Sequence, residues 1–301
     1  MARAAFAPAK LNLFLHVGAP QVGGGAEDGY HPICSLMAFA DIGDRVSTFD
    51  AEALRLAVAG PFAGDLAATE DNLVLRAARA LIAVARRPVA PVGLSLEKLL
   101  PVASGLGGGS SDAGATLRLL RKTFSLSLDN ARLEALAAAL GADGAACLWG
   151  APAIAEGRGE RLSAAPGLPP LDAVLVRPPV AVSTAAVYRR FDELGRFGDV
   201  ARPAMPDAFE DAVDLAAWLV GQRNDLEAAA TAVAPQVGTV LETLANEPET
   251  LLARVSGSGG TCFALCASDI EAESLAERLE AMAPGWWVQR CRLGGPWPDP
   301  D

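Results

Sequence analysis

The fourteen residues "PVASGLGGGSSDAG", Pro101 to Gly114, carry the densest chemical pattern in the chain. Four of the five residues from Gly105 to Gly109 are glycine, and Ser110, Ser111 and Asp112 follow. Glycine at that density loses backbone entropy on folding, so some close approach must forbid a Cβ there. An alternating stretch, "PVGLSLEKLL", leads in, and helical spacing leads out. A strand, a glycine loop and a helix N-terminus in that order form an anion site, because backbone N–H groups converge and the helix dipole favours negative charge. Phosphate is the expected occupant, with the serine hydroxyls donating to its oxygens. A Walker A loop would end in Gly-Lys-Ser/Thr, and here Ser110 follows Gly109. The dinucleotide fingerprint begun at Gly105 and Gly107 would need glycine at position 110. A protein-kinase loop lies within a hairpin and comes with H-R-D and D-F-G, which this chain lacks. A plain tight turn needs only one or two glycines.

The rest of the composition narrows the chemistry by exclusion. His16 and His31 are the only histidines, which leaves a multi-histidine zinc site without ligands and a Ser-His-Asp hydrolase poorly supplied. Five scattered cysteines, odd in number and without a C-x-x-C pair, read as reduced, buried thiols rather than a disulfide framework. A formal net charge of -11 argues against a general affinity for nucleic acid or anionic membrane. No apolar run reaches the ~18 residues of a spanning helix. Lys10 and Asn12 break the apolar stretch that an N-terminal signal peptide would need. The expectation is a cytoplasmic protein with a small-molecule partner.

Elements must position the loop. With 301 residues, 51% of them hydrophobic, the chain can bury a substantial core and two domains. "FAPAKLNLFLHV" predicts a strand over 5–17, and 18–30 a glycine-rich loop. Short strands are expected in "HPICSLMAFA", "DRVSTFD" and "LRLAVAG". A helix is expected to open at Asp71 and to run into Arg86 and Arg87, whose charges suit its C-terminal dipole. After the loop, Ala113, Leu117, Leu120 and Phe124 share one helical face, with Arg118, Arg121 and Lys122 pointing mostly away. Asp129 caps a further helix that Gly141 stops, and a short one starts near Asp143. "APAIAEGRGERLSAA" reads as a hairpin. The proline-rich "APGLPPLD" marks a boundary near 165. Beyond it come a strand "AVLVRPP", helices near 183–193, 207–220 and 224–246, strands around "SGSGG", a helix opened by the capping box Ser268/Glu271, and a last strand "WWVQRCRL".

"PVASGLGGGSSDAG" resembles the phosphate loop of the galactokinase, homoserine kinase, mevalonate kinase and phosphomevalonate kinase superfamily. "PAKLNLFLHV", "DGYHPICSLM", "EDNLVLRAA", "LGAD" and "SGSGGTCFAL" extend the resemblance across nearly the whole chain, towards the branch that acts on a cytidylated methylerythritol. It implies an α+β, two-domain small-molecule kinase. An N-terminal ATP-binding and catalytic α/β domain of left-handed-crossover type (1–165) would precede a ferredoxin-like substrate-side domain (166–301). It implies phosphoryl transfer from ATP with Mg²⁺, the metal ligands unassigned, by a monomer or weak homodimer.

By the same resemblance Lys10 and Asp143 are the catalytic pair, the carboxylate taking the acceptor's proton and the ammonium orienting it and stabilising the moving phosphoryl group. A plain helix N-cap is the competing reading of Asp143. Pro101, Val102, Ala103, Ser104, Gly105, Leu106, Gly107, Gly108, Gly109, Ser110 and Ser111 would wrap the nucleotide's phosphates, one of the two last serines reaching Mg²⁺. Asn72 and Lys98 would contact the nucleotide, against readings as a helix cap and a solvated lysine. Asn12, Tyr30, His31, Thr184, Tyr188 and Gly259 would bind the acceptor, the tyrosines sandwiching cytosine and His31 meeting its polar edge. Three features depart from the family: Asp143 is not followed by Val-Pro-aromatic, the 18–30 loop is longer, and Asp112 replaces the usual Asn or Ala. A kinase of the superfamily with another acceptor, or a silent ligand-sensing member, remains an alternative at this point.

Overall fold

Alternation along "FAPAKLNLFLHV" builds β1 (Ala4–Val17), and it is buried on both faces because helices and the C-terminal half enclose it. The computed structural model describes residues 4–21, 29–66 and 71–300, so the expected loop over 18–30 lies outside the described residues at 22–28. The strands expected over 31–40 and 44–50 are one element, β2 (Ile33–Phe49), antiparallel to β1. Its ladder breaks twice, between the pairs Pro8↔Gly43 and Lys10↔Phe39 and between Asn12↔Met37 and Phe14↔Leu36. Such irregularities re-aim side chains, and these two bracket the segment that carries Lys10 and Asn12.

β3 (Arg55–Ala59) runs parallel to β4 (Gly93–Glu97), with α1 (Leu73–Val84) between them in sequence. The α1 cap is Asn72, whose Oδ1 accepts from Val74 N–H at 2.9 Å, one residue later than the expected opening. α1 stops at Val84, so Arg86 and Arg87 do not lie in its last turn; Arg87 donates instead to the Phe124 carbonyl. α2 (Gly108–Thr123) follows the glycine loop and buries Leu117, Leu119 and Leu120 completely or nearly so, each contributing about 1.5–3 kcal/mol. Arg118 does not point away: it is half-buried and donates to the carbonyls of Leu148 (2.5 Å) and Phe6 (2.6 Å). Asp129 caps α3 (Asn130–Leu140) through Arg132 N–H, and α4 (Gly144–Trp149) leads to the hairpin β5 (Ala153–Gly157) and β6 (Arg161–Ala164).

The C-terminal half begins with β7 (Leu171–Arg177), α5 (Thr184–Leu194) and α6 (Ala212–Val220). The helix expected over 224–246 is two, α7 (Glu227–Val233) and α8 (Pro235–Ala245), because Pro235 cannot continue a helix but suits the first turn of a new one. β8 (Leu252–Val255), β9 (Cys262–Cys266), α9 (Asp269–Met282) and β10 (Trp287–Gly294) complete it. Ser268 Oγ caps α9 through Glu271 N–H at 3.3 Å, while the Glu271 carboxylate accepts from Ala267 N–H, one residue earlier than in a strict capping box. The strand order β10-β7-β9-β8, all antiparallel, is the ferredoxin-like order, and α9 packs on it. β10 also pairs with β2 at Leu293↔Ala40 and Gly294↔Phe39, beside the break in register between Pro8↔Gly43 and Lys10↔Phe39. A single ten-stranded sheet therefore runs through both halves among the described residues.

Candidate active site

A cavity of about 960 Å³ opens where the glycine loop, β1, the start of α4 and α5 converge. Residue Gly107 takes a left-handed φ of 63° as the cap of α2, and the first intrahelical bond is Ser111 N–H to Gly107 O. The amides of Gly108, Gly109 and Ser110 precede that bond and line the cavity, as the orphan donors of a helix N-terminus do. The loop is tied to β1 by Lys10 N–H donating to Leu106 O at 2.8 Å.

The glycines serve several neighbours. A Cβ on Gly105, at φ +78°, would lie 2.4 Å from the Ser256 carbonyl oxygen and 2.7 Å from that of Gly259. On Gly107 it would meet the Lys10 side chain at 3.1 Å, and on Gly108 the Lys98 Nζ at 2.9 Å. The second glycine loop, Ser256–Gly260, thus lies backbone to backbone on the first, with Thr261 N–H donating to Ser104 O at 3.0 Å. Ala103 holds φ 50° without being glycine, a strained conformation next to the site.

Lys10 and Asn12 point to the same face of β1, two residues apart. Lys10 is 4% exposed; its Nζ lies 3.1 Å from Asp143 Oδ2 and donates to Asn12 Oδ1 at 2.7 Å. Asn12 Nδ2 donates to Ser35 Oγ at 2.8 Å, and Ser35 Oγ to the Phe14 carbonyl at 2.6 Å. Asp143 occupies the N-cap position of α4 yet makes no capping hydrogen bond, so its carboxylate is turned to Lys10 and the cavity. Burial pushes the Tyr188 phenol up to about 12, with the Asp143 charge adding to it. Burial likewise raises the Cys147 thiol to about 12, so it stays protonated against the loop.

Lys98 is not a solvated lysine. Its ammonium is buried between the carboxylates of Asp44 and Asp112, the latter at 3.2 Å. Asp44 Oδ1 also accepts from Leu99 N–H (2.6 Å) and Leu100 N–H (2.8 Å), fixing the entry to the glycine loop. Burial holds the Asp112 carboxyl well above the usual carboxylate range; Lys98 opposes that shift and the Asp44 charge adds to it. Asp112 Oδ1 has no hydrogen-bond partner, and the residue lines the cavity.

On the other side of the cavity Tyr30 is 53% exposed, with the Arg158 guanidinium 4.9 Å over its ring. Tyr188 and His31 have ring centroids 5.1 Å apart, and Phe191 and Phe197 pack behind His31. Neither ring nitrogen of His31 is open: Nδ1 donates to Gly18 O (2.8 Å) and Nε2 lies 3.2 Å from Asp192 Oδ1. Thr184 Oγ1 hydrogen-bonds Ser258 Oγ at 2.8 Å.

Of the residues expected from sequence, Lys10, Asn12, Tyr30, His31, Asn72, Lys98, the stretch 101–110, Asp143, Thr184 and Tyr188 line this one cavity. Ser111 and Gly259 do not: Ser111 is fully buried in α2, and a Cβ on Gly259 would face Ala230, while Gly257 and Ser258 present the second loop instead. Sequence reading missed Ser35, Asp44, Arg158 and Asp192. An acid and a serine inside the apolar strand "ICSLMAFADIGDRV" were the available signal for the first two.

Residues 72–151 match the sequence model of the GHMP kinases N terminal domain, and residues 201–285 that of the GHMP kinases C terminal. The chain is 59% identical over 293 residues to the 4-diphosphocytidyl-2-C-methyl-D-erythritol kinase of Caulobacter sp., covering 97% of this chain and 98% of the relative. It is 46% identical over 297 residues to the kinase of that name from Hyphomonas neptunium, covering 96% of each. A crystal structure of a 4-(cytidine 5'-diphospho)-2C-methyl-D-erythritol kinase superposes with a TM-score of 0.73 at 32% identity, covering 98% of this chain and all 100% of that one. The L. major mevalonate kinase in complex with R-mevalonate, at 16% identity and a TM-score of 0.67, shares the fold.

Proposed function

The chain belongs to the GHMP kinases, and within them to the 4-diphosphocytidyl-2-C-methyl-D-erythritol kinase family, and from that membership we propose that it transfers the γ-phosphoryl group of ATP to the 2-hydroxyl of 4-diphosphocytidyl-2-C-methyl-D-erythritol, a step of the non-mevalonate isoprenoid pathway. The observation that carries the reading is the Lys10–Asp143 pair, 3.1 Å apart, between a loop of open amides and an aromatic subsite. The acceptor hydroxyl would hydrogen-bond Asp143 and attack phosphorus; the new O–P bond forms as the bond to the ADP oxygen breaks, and the proton passes to Asp143. An ordinary carboxylate suffices, because the hydroxyl proton becomes acidic only as the O–P bond forms in a loose transition state. Lys10, buried and fixed by Asn12, stabilises charge on the moving group. The amides of Gly108, Gly109 and Ser110 hold the phosphates of ATP.

Mg²⁺ fits the residues present. It takes one or two protein carboxylates and otherwise waters and phosphate oxygens, and Asp112 offers an unpartnered buried oxygen at the cavity wall. Asp112 and the Ser110 hydroxyl would hold it, and when bound it would neutralise charge on the phosphates. No group of three His, Cys, Asp or Glu side chains able to hold a metal occurs among the described residues, which agrees with a metal bound mainly through ATP.

A net charge of -11 supports a small-molecule partner rather than nucleic acid. Among the described residues no helix is long and apolar enough to cross a membrane, and all five cysteines are free and buried, which supports the cytoplasm. The two family matches, at 72–151 and 201–285, support a division into units 1–165 and 166–301.

The test is a phosphoryl-transfer assay with ATP and Mg²⁺ across alcohol acceptors, with the product's phosphate located by NMR. ADP formed with a 2-phosphorylated cytidylated product is expected. Turnover confined to an acceptor without the cytidine, or no turnover at all, would sink the proposal. Tyr188→Ala is expected to raise KM for the cytidylated acceptor with little change in KM for ATP.

A further inference from the structure

We infer that Trp297 is a positioning residue for the proposed catalytic pair, holding the strand of Lys10 and the helix of Asp143 together, an inference that rests on the reading of that pair. Lys10 and Asp143 belong to different elements, so their 3.1 Å contact depends on how β1 and α4 sit against each other. With six residues, α4 is too short to persist without tertiary packing. Asp143 makes no capping bond of its own, so the placement of α4 carries its carboxylate.

The segment after β10, residues 295–300, touches both elements without lining the cavity. Gly295 lies on the end of α4: at φ +96°, a Cβ there would be 2.2 Å from the carbonyl oxygen of Gly150, which caps that helix. Gly150 in turn faces Pro8 of β1, whose Cγ would lie 3.0 Å from an added Cβ. Trp297 is half-buried and packs on a cluster that joins Met37 and Phe39 of β2 and Ala155 of β5 to Ala146 and Cys147 of α4. Its Nε1 donates to the Phe39 carbonyl at 2.9 Å. Phe39 is the ladder partner of Lys10, beside the break in register after Pro8. Asp299 Oδ1 anchors the far end, accepting from Phe6 N–H of β1 at 3.1 Å and from Arg118 Nη2 at 3.4 Å. Arg118 also donates to the carbonyl of Leu148 in α4. One indole therefore holds the register position of Lys10 by its N–H and the helix of Asp143 by its ring. A ring that only filled space would lower stability and leave the turnover of the folded protein alone.

The test is Trp297→Ala in the full chain, with Trp297→Phe beside it, at saturating ATP and cytidylated acceptor and below the unfolding transition of each variant. For Trp297→Ala, kcat is expected to fall about tenfold to hundredfold, the cost of a small misplacement of reacting groups, while KM for ATP changes little. Trp297→Phe keeps a ring but loses the N–H donor, so a smaller fall in kcat is expected; it carries the test should Trp297→Ala fail to fold. In the Asp143→Asn background Trp297→Ala is expected to cost little further kcat, because nothing is left for it to position. Hydrogen exchange at residues 144–150 is expected to quicken in Trp297→Ala with α1 unchanged, and it reads the displacement in a variant too slow to assay. Full kcat in either folded variant, losses that multiply with that of Asp143→Asn, or unchanged exchange at 144–150 overturns the inference alone. Full kcat in Asp143→Asn overturns the reading of the catalytic pair, and this inference with it.

Discussion

Lys10 Nζ sits 3.1 Å from Asp143 Oδ2 and 2.7 Å from Asn12 Oδ1, so one buried ammonium joins a strand to the start of a helix. In the proposed mechanism the pair acts as a unit: the carboxylate receives the proton and the ammonium keeps it oriented. Asp143→Asn and Lys10→Met are each expected to lower kcat by about 10²- to 10⁴-fold, with ATP affinity nearly unchanged. The double variant is expected to be little worse than either single one. Steady-state kinetics with nucleotide titration checks this; multiplicative losses would separate the two roles.

Ser35 supports the pair at one remove, receiving Asn12 Nδ2 at 2.8 Å and donating to Phe14 O at 2.6 Å. Ser35→Ala leaves a buried amide without its acceptor, a loss of about 1–3 kcal/mol. Because Asn12 then no longer fixes Lys10, kcat is expected to fall about tenfold with KM for ATP unchanged. Denaturant unfolding and kinetics on the same sample read both effects, and a stability loss with full kcat would confine Ser35 to the fold.

Gly105 faces the Ser256 carbonyl oxygen so closely that an added Cβ would lie 2.4 Å from it, at a φ of +78°. Gly105→Ala must push the two glycine loops apart, and a stability loss of about 1–3 kcal/mol is expected from the strained backbone alone. KM for ATP is expected to rise more than KM for the acceptor, since the displaced loop carries the amides proposed to hold the phosphates. Equal rises would place the damage elsewhere.

Asp112 has a pH signature. Burial, the largest cause, raises its carboxyl well above the usual range, and the Lys98 charge opposes the shift. The folded chain therefore holds a proton there more tightly than the unfolded one. Its contribution to stability is complete below about 3.9, the unfolded value, and is lost as pH rises through the higher folded value. Asp112→Asn removes that loss, so its advantage over the wild type in urea unfolding is expected to grow with pH above about 4. Turnover is expected to fall, because the unpartnered oxygen is replaced. Parallel stability profiles for the two proteins would exclude a buried titrating carboxyl.

Lys98 shows why part of the site escaped sequence reading. As a lysine after a strand it read as a solvated charge or a nucleotide contact; nothing nearby in the chain announced Asp44. Its partners come from β2 and α2, and only the β2–β4 pairing and the close approach of α2 bring them to one ammonium. Helix ends were legible where a cap or a proline fixes them locally, as at Asp129, Gly141 and Ser268. The break between α7 and α8 had a local signal in Pro235, but the reading of one helix over 224–246 passed over it. The union of the 31–40 and 44–50 stretches into β2 was not legible, because the junction is held by distant strands: Ala40 pairs with β10, Asp41 accepts from Arg292 N–H, and Gly43 pairs with Pro8 of β1.

The sequence by itself determined that a glycine loop would meet a helix start, because that arrangement is local: a strand, open amides and a dipole follow one another along the chain, the pattern expected to hold phosphate. The motif residues Lys10, Asp143 and Tyr30–His31 were likewise visible as types at fixed places in short segments. Which glycine serves the ligand and which serves packing was decided by the tertiary structure alone. Gly105, Gly108 and Gly109 all line the cavity, but Gly105 also yields space to the backbone of Ser256 and Gly259, residues of the other half of the chain. Spacing along a chain fixes which side chains share a face, but not which distant backbone will lie against them, and that contact exists only once the sheet has joined both halves.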